Sequence, residues 1–171
     1  KIKLINCVGG GSSAYGFWSE FIDFDKKQIE LIGVEAGGPS KSKLHAAPLS
    51  KGAKIGILHG AAAYVCQNSD GQINETESIS AGLDYPSCSP MHCFLKDTKR
   101  ARYTSATDEE ALNAYQLVTK YENLNPSLEP SHAFAEAIKI APKLAKDTII
   151  IVNSCGDAHK DKDILKQRLG S

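Results

Sequence analysis

The chain opens with Ile2-Lys3-Leu4-Ile5-Asn6-Cys7-Val8, an almost unbroken apolar run, and passes at once into Gly9-Gly10-Gly11-Ser12-Ser13. This junction constrains the fold more than any other stretch. A short apolar run without alternation suits a strand buried on both faces of a parallel sheet. The glycines let the backbone turn sharply into the next element. Ala14, Phe17, Trp18, Phe21 and Ile22 then recur at helical spacing, and residues 29–35 (IELIGVE) read as a second buried strand. A strand, loop, helix and strand in this order make a right-handed parallel crossover.

The pattern continues along the chain. Residues 37–52 are loop-like, and residues 54–67 are apolar but irregular. Asn68-Ser69-Asp70-Gly71 is a turn signal, so a small hairpin is expected across it, with Ile73 on its far side. Residues 78–90, rich in Gly, Ser and Pro, are expected to be an ordered loop. Residues 101–106 read as a third strand. Thr107 and Glu110 then sit where a capping box places them, at the N-cap and third position of a helix. A further helix is expected from Pro130 or Ser131 to Ile140, ended by Pro142. Residues 148–153 read as a fourth buried strand and 161–169 as a terminal helix. The expected fold class is α/β: three layers, a mostly parallel sheet flanked by helices, with a small hairpin or loop insertion, residues 1–171 forming a single domain.

Composition excludes some functions. The formal net charge is zero and no basic stripe is visible, so nucleic acid is not an expected partner. No apolar run approaches the length of a membrane span, so no membrane partner is expected. The five cysteines are odd in number, with no Cys-x-x-Cys spacing, which argues against a disulfide framework or zinc site and suits a reducing cytoplasm. The chain begins with Lys rather than Met, already inside an apparent core strand, so it is expected to be part of something longer.

Chemistry concentrates at the glycine loop. Glycines admit an anion close to the backbone, and N–H groups at a helix start, aided by the helix dipole, point at it. Ser12 and Ser13 add hydroxyl donors. Three readings stay open on these residues alone. A phosphate monoester suits Gly-Gly-Gly-Ser-Ser. A dinucleotide suits Gly9-x-Gly11-x-x-Ala14 with Glu35 as the ribose-binding acid. A ligand-free turn suits the spacing as well.

Beyond these residues lies a resemblance. Residues 7–14 (CVGGGSSA) resemble the GGGSNA phosphate loop of the tryptophan synthase β-chain family. In family order come residues 33–38 (GVEAGG), 45–47 (HAA), 56–60 (GILHG), 70–73 (DGQI), 78–86 (SISAGLDYP), 107–111 (TDEEA), 128–133 (LEPSHA) and 153–161. These blocks span nearly the whole chain. The resemblance implies the C-terminal, phosphate-binding half of a fold-type II enzyme that uses pyridoxal 5'-phosphate (PLP) to condense L-serine with indole into L-tryptophan. The family's cofactor-bearing lysine lies in an HKxN motif of the N-terminal half. No HKxN occurs here, so this piece is expected to be inactive alone and to bind PLP weakly or not at all. The alternative is a stand-alone module that binds a phosphate ligand, PLP or nucleotide, without catalysis.

Residue by residue, the resemblance implies that Gly9, Gly10, Gly11, Ser12 and Ser13 bind the phosphate, Ser13 replacing the family's Asn. It implies that Glu129 lies beside the cofactor ring as a catalytic residue; read alone, Glu129 is also an ordinary helix-start carboxylate. Cys155 stands where the family has a serine at the pyridine nitrogen. Residues 156–161 (GDAHKD) replace GRGDKD and reverse local charges at Asp157 and His159. Gly9, Tyr85 and Ser87 match positions whose carbonyls hold a monovalent cation, Asp84 a contact to the other domain, and Leu58 and His59 the indole path. A second β chain and the α chain are the implied partners. The missing half would leave an exposed apolar face, so self-association is expected.

Overall fold

The structure is a computed structural model, and residues 1–170 are described. Four parallel strands form its centre: β1 (Ile2–Cys7), β2 (Ile29–Ala36), β5 (Ala101–Ala106) and β6 (Ile149–Val152), in the order β5-β2-β1-β6. The register pairs Leu4 with Leu31 and Ile5 with Ile32. Because side chains alternate along a strand, these neighbouring pairs feed opposite faces. Leu4, Val8 and Leu31 pack with Trp18 of α1 (Ser12–Trp18) and Leu95 of α2 (Pro90–Asp97). Ile5, Cys7, Ile32 and Val34 pack with Ala133, Ala137 and Ile140 of α4 (Leu128–Ile140). Helix α3 (Asp108–Glu122) lies against α4, and α5 (Lys162–Leu169) contributes Leu165 to a small cluster with Ile79 and Leu128. The outcome is the α/β, helix-flanked, mostly parallel sheet that the sequence pattern predicts.

Two antiparallel strands, β3 (Lys54–Leu58) and β4 (Ala61–Val65), form the small insertion. Its turn falls at His59-Gly60, both at positive φ, and not at residues 68–71. The Asn68 turn does form: its side chain accepts from the Asp70 and Gln72 amides, closed by a single bridge between Gln67 and Ile73. A turn signal marks a reversal, but ladder growth depends on flanking residues that can pair, and only 54–65 supply them.

Other expectations shift. Helix α2 follows the loop predicted over 78–90 and covers residues to which the sequence pattern assigns no element; Ser89 as N-cap, Pro90 in the first turn, and His92 and Leu95 turned inward define it. Helix α4 starts at Leu128, its first amide donating to the Asp161 carboxylate (2.8 Å), two residues before Pro130. Strand β6 is an edge strand rather than a fully buried one. Ile150 and Val152 pack toward α4, while Ile149 and Ile151 are 54% and 43% exposed. No helix among the described residues is long and apolar enough to cross a membrane.

Candidate functional site

The glycine loop leaves β1 at the carboxyl edge of the sheet, the edge at which open parallel sheets bind ligands. Its glycines answer different demands. A Cβ at Gly9 would lie 2.6 Å from the Gly82 carbonyl oxygen, so this glycine lets the loop close on residues 82–83. Gly11 has φ +101° and a Cβ there would strike the His92 ring at 2.1 Å. Gly10 faces open space, with nothing within 4 Å of an added Cβ. Gly11 caps α1 without a side-chain bond. Among the described residues, the amides of 9–14 donate to no protein acceptor. Six N–H groups are thus gathered at a strand-to-helix turn, beside a cleft of about 490 Å³ lined by Gly10, Ala81, Gly82, Asp84, Tyr85 and Ser89.

His92, unassigned from sequence, braces this loop. It is fully buried, with its ring edge-on to Trp18 and to Tyr103. Burial lowers its pKa, outweighing the Gly11 contact, so the ring is neutral at pH 7. The Gly11 carbonyl only accepts, so Nε2–H donates to it (2.8 Å) and Nδ1 accepts from the Tyr103 hydroxyl (2.7 Å). The available signal was a histidine three residues after a Ser-Pro helix start, on the face shared with Leu95.

Ser12 and Ser13 are both exposed at the first turn of α1. The Ser13 hydroxyl oxygen accepts from Asn6 (3.2 Å) and Asn153 (3.4 Å) side-chain amides. Cys155 is the exposed one of the five cysteines, and its sulfur lies 3.7 Å from that of buried Cys7. Hydrogen bonding from Cys7, aided by Ser13, outweighs burial and brings the Cys155 pKa down to about 6. Cys7 moves the opposite way, well above the ordinary thiol range, through its bond to Cys155 and its burial. Cys155 and the glycine-loop residues therefore share one edge of the sheet.

Glu129 lies in the first turn of α4. Its Oε1 accepts from the Gly82 amide (3.0 Å) and from Lys160 (2.6 Å), while Oε2 is buried without a partner. Burial pushes its pKa up, but Lys160 and neighbouring hydroxyls more than offset this and bring it to about 2. The carboxylate is ionised and clamps the 80s loop to α4. Asp157 accepts from the His159 amide (2.8 Å), and Lys160 also reaches Asp161, so the altered 156–161 segment has its own local charge pattern.

Tyr85 bonds through its hydroxyl to His59 Nδ1 (2.8 Å), with the two rings stacked, and the Ser87 hydroxyl donates to the Tyr64 carbonyl. Glu35 does not reach the cleft. It is 1% exposed and accepts from the Leu49 and Ser50 amides (3.0 and 2.6 Å), which rules it out as a ribose acid and removes the dinucleotide reading.

The donor set fits a phosphorylated ring compound. Free amides and open space at Gly10 suit a phosphate, and the exposed Cys155 offers a polar group at the same edge of the sheet. Fold and site together define an α/β domain with a turn of unpartnered amides at the carboxyl end of its first strand. No family model matches the chain. It is similar to tryptophan synthase β chains over nearly its whole length. It is 49% identical to that of Chromobacterium violaceum over 159 residues, 92% of this chain and 39% of the relative. It is 48% identical to that of Bordetella petrii and 47% identical to that of Rhodopseudomonas palustris, each over 168 residues, 98% of this chain and 41% of the relative. The chain thus spans about two fifths of the length of the curated relatives it matches.

Proposed function

We propose that this chain is the phosphate-binding domain of a PLP-dependent lyase that joins L-serine and indole into L-tryptophan. The observation that carries the reading is the set of unpartnered amides at 9–14, beside an open cleft that Gly10 lines, in a chain whose relatives named tryptophan synthase β chain align over 92–98% of it. PLP, when bound, supplies the carbonyl that takes up the amino group and the ring that withdraws electrons.

The chain's own residues do the rest. The amides and hydroxyls of Gly9, Gly10, Gly11, Ser12 and Ser13 hold the phosphate dianion, with the α1 dipole adding to the attraction. His92 holds Gly11 in its left-handed conformation and so keeps the amides aimed. Cys155 would hold the ring nitrogen of the bound cofactor, where its thiolate could accept a hydrogen bond from that nitrogen when protonated. Glu129 remains ionised at neutral pH. With a pKa of about 2 it is a poor base and acts chiefly by placing negative charge beside the ring. Carbonyls of Gly9, Tyr85 and Ser87 hold a monovalent cation, and Leu58 and His59 border the path of indole. The family's second β chain and α chain are the proposed protein partners, and the cytoplasm the proposed compartment.

Calorimetric titration of the chain with inorganic phosphate and with PLP tests the cradle. Both are expected to bind saturably, with PLP the tighter. Gly10→Asp places a carboxylate where an added Cβ meets nothing, so the fold stands, while affinity falls at least about tenfold through charge repulsion. A flat titration with both ligands, or equal binding by Gly10→Asp, would overturn the reading. Serine, indole and PLP added to this chain alone are expected to yield no tryptophan; turnover above background would overturn the assignment of the cofactor-bearing lysine to an HKxN motif outside it.

A further inference from the structure

Two pairs of cysteine sulfurs come into contact, Cys7 with Cys155 (3.7 Å) and Cys88 with Cys93 (3.5 Å), and only the first includes an exposed cysteine. Cys155 is exposed and lies at the carboxyl edge of the sheet, just past the end of β6. Its partner Cys7 is buried at the end of β1. Strands β1 and β6 are adjacent and parallel, with Ile5 registered on Val152, so the two cysteines lie two and three residues beyond the paired segment. Neighbouring strands hold their backbones about 4.8 Å apart, within the separation a disulfide spans. Cys88 is buried, and burial with its Cys93 neighbour drives its thiol well above the ordinary range.

We propose that Cys7 and Cys155 form a redox pair that a hydroperoxide converts to a disulfide, and that this disulfide weakens the phosphate-ligand site they border. The second half of the inference rests on the PLP reading above; the first half does not. Cys155 is already largely thiolate near pH 7, which is the nucleophilic form. Its sulfur attacks one peroxide oxygen, the O–O bond breaks, and the departing alkoxide takes a proton to leave as an alcohol (water, for hydrogen peroxide). The resulting sulfenic acid lies against Cys7. The Cys7 sulfur attacks it, the S–O bond breaks, and hydroxide leaves with the Cys7 proton as water. Two electrons pass from the two sulfurs to the peroxide, and a small thiol reverses the change by exchange.

Formation of the bond draws the Cys155 sulfur roughly 1.7 Å closer to Cys7, from 3.7 Å to a bond length of about 2.0 Å. The sulfur loses its charge and turns away from Ser13, whose hydroxyl, shared with Asn6 and Asn153, sits in the first turn of the phosphate-binding helix. The ring-nitrogen acceptor is removed, and the Ser13 network is reset at the same stroke.

The test treats the reduced chain with hydrogen peroxide near pH 7, maps the peptides by mass spectrometry and titrates both forms with PLP and with inorganic phosphate. The expected result is a Cys7–Cys155 cross-linked peptide two hydrogens lighter, with two of the five thiols lost, reversed by dithiothreitol. PLP affinity of the oxidised form is expected to fall about tenfold, the equivalent of one lost polar contact, and to return on reduction. Cys155→Ser is expected to give no cross-link and no redox dependence. A Cys88–Cys93 cross-link instead, or irreversible oxidation of Cys155 without cross-linking, would overturn the pair. A cross-link that leaves PLP affinity unchanged would overturn the coupling to the site. A flat titration by the reduced chain would instead count against the PLP reading and take the coupling with it, leaving the peptide map to judge the disulfide.

Discussion

Gly11 and His92 form a single device at the residue scale. The glycine's φ of +101° and the 2.1 Å clash that a Cβ would make with His92 mean that neither can change without the other. Gly11→Ala is expected to lower the unfolding free energy by about 2 kcal/mol or more, since it adds a strained conformation to a steric conflict. His92→Phe keeps the ring volume but leaves the Gly11 carbonyl and Tyr103 hydroxyl without that partner, at an expected cost of about 1–3 kcal/mol. Urea unfolding midpoints check both. Glu35 carries the pH dependence. Burial raises its pKa from 4.5 to about 7, against the opposing pull of Ser50 and Leu49. Between these values the folded state holds the proton more tightly than the unfolded chain, so this contribution is complete below about pH 4.5 and is lost as pH rises through about 7. Stability measured across that interval is expected to decline with pH from this source, and Glu35→Gln to flatten the slope whatever it does to the absolute value.

Local chemistry announces some elements and hides others. The Thr107–Glu110 capping box forms in both directions, with the Glu110 amide donating to Thr107 (3.2 Å) and the Thr107 amide donating to Glu110 (2.8 Å). Thr107→Ala is expected to cost about 1 kcal/mol, read by thermal or urea unfolding. That box was legible because each bond joins residues three apart. Strand β6 shows the opposite case. Ile149-Ile150-Ile151-Val152 has the composition of a central strand, yet β1 is its only ladder partner among the described residues, and two isoleucines remain largely uncovered. Composition marks a strand but cannot say how many neighbours it will have. The β3–β4 hairpin is similar, with Ile55 and Ile57 exposed at 67% and 73%.

At the scale of the whole molecule, Ile149 and Ile151 on β6 and Ile55 and Ile57 on the hairpin leave apolar side chains in solvent. The chain is expected to self-associate at high concentration, measured by light scattering. Replacing Ile149 and Ile151 together with Lys charges the open edge of the sheet and is expected to restore monomeric mass with little loss of stability, because both side chains are already largely in water. A wild-type chain that stays monomeric at high concentration would contradict this. A second cleft of about 490 Å³, lined by Lys26, Lys27, Lys96, Lys99 and Arg100, lies beyond the start of β1 and so away from the carboxyl edge that holds the glycine loop. The sequence by itself determined the α/β alternation, the parallel character of the central strands and the place of the glycine loop between the first strand and its helix. These depend on spacing of apolar residues and on glycines a few positions apart, interactions short enough to be written along the chain. Only the tertiary structure decided that Glu35 is sealed beneath residues 49–50, that His92 braces Gly11 from 81 residues away, and that Cys7 meets Cys155 across 148 residues. Those contacts arise where strands lie side by side and loops meet at the sheet's edge, and strand order is set by packing of the whole core rather than by any local run of residues.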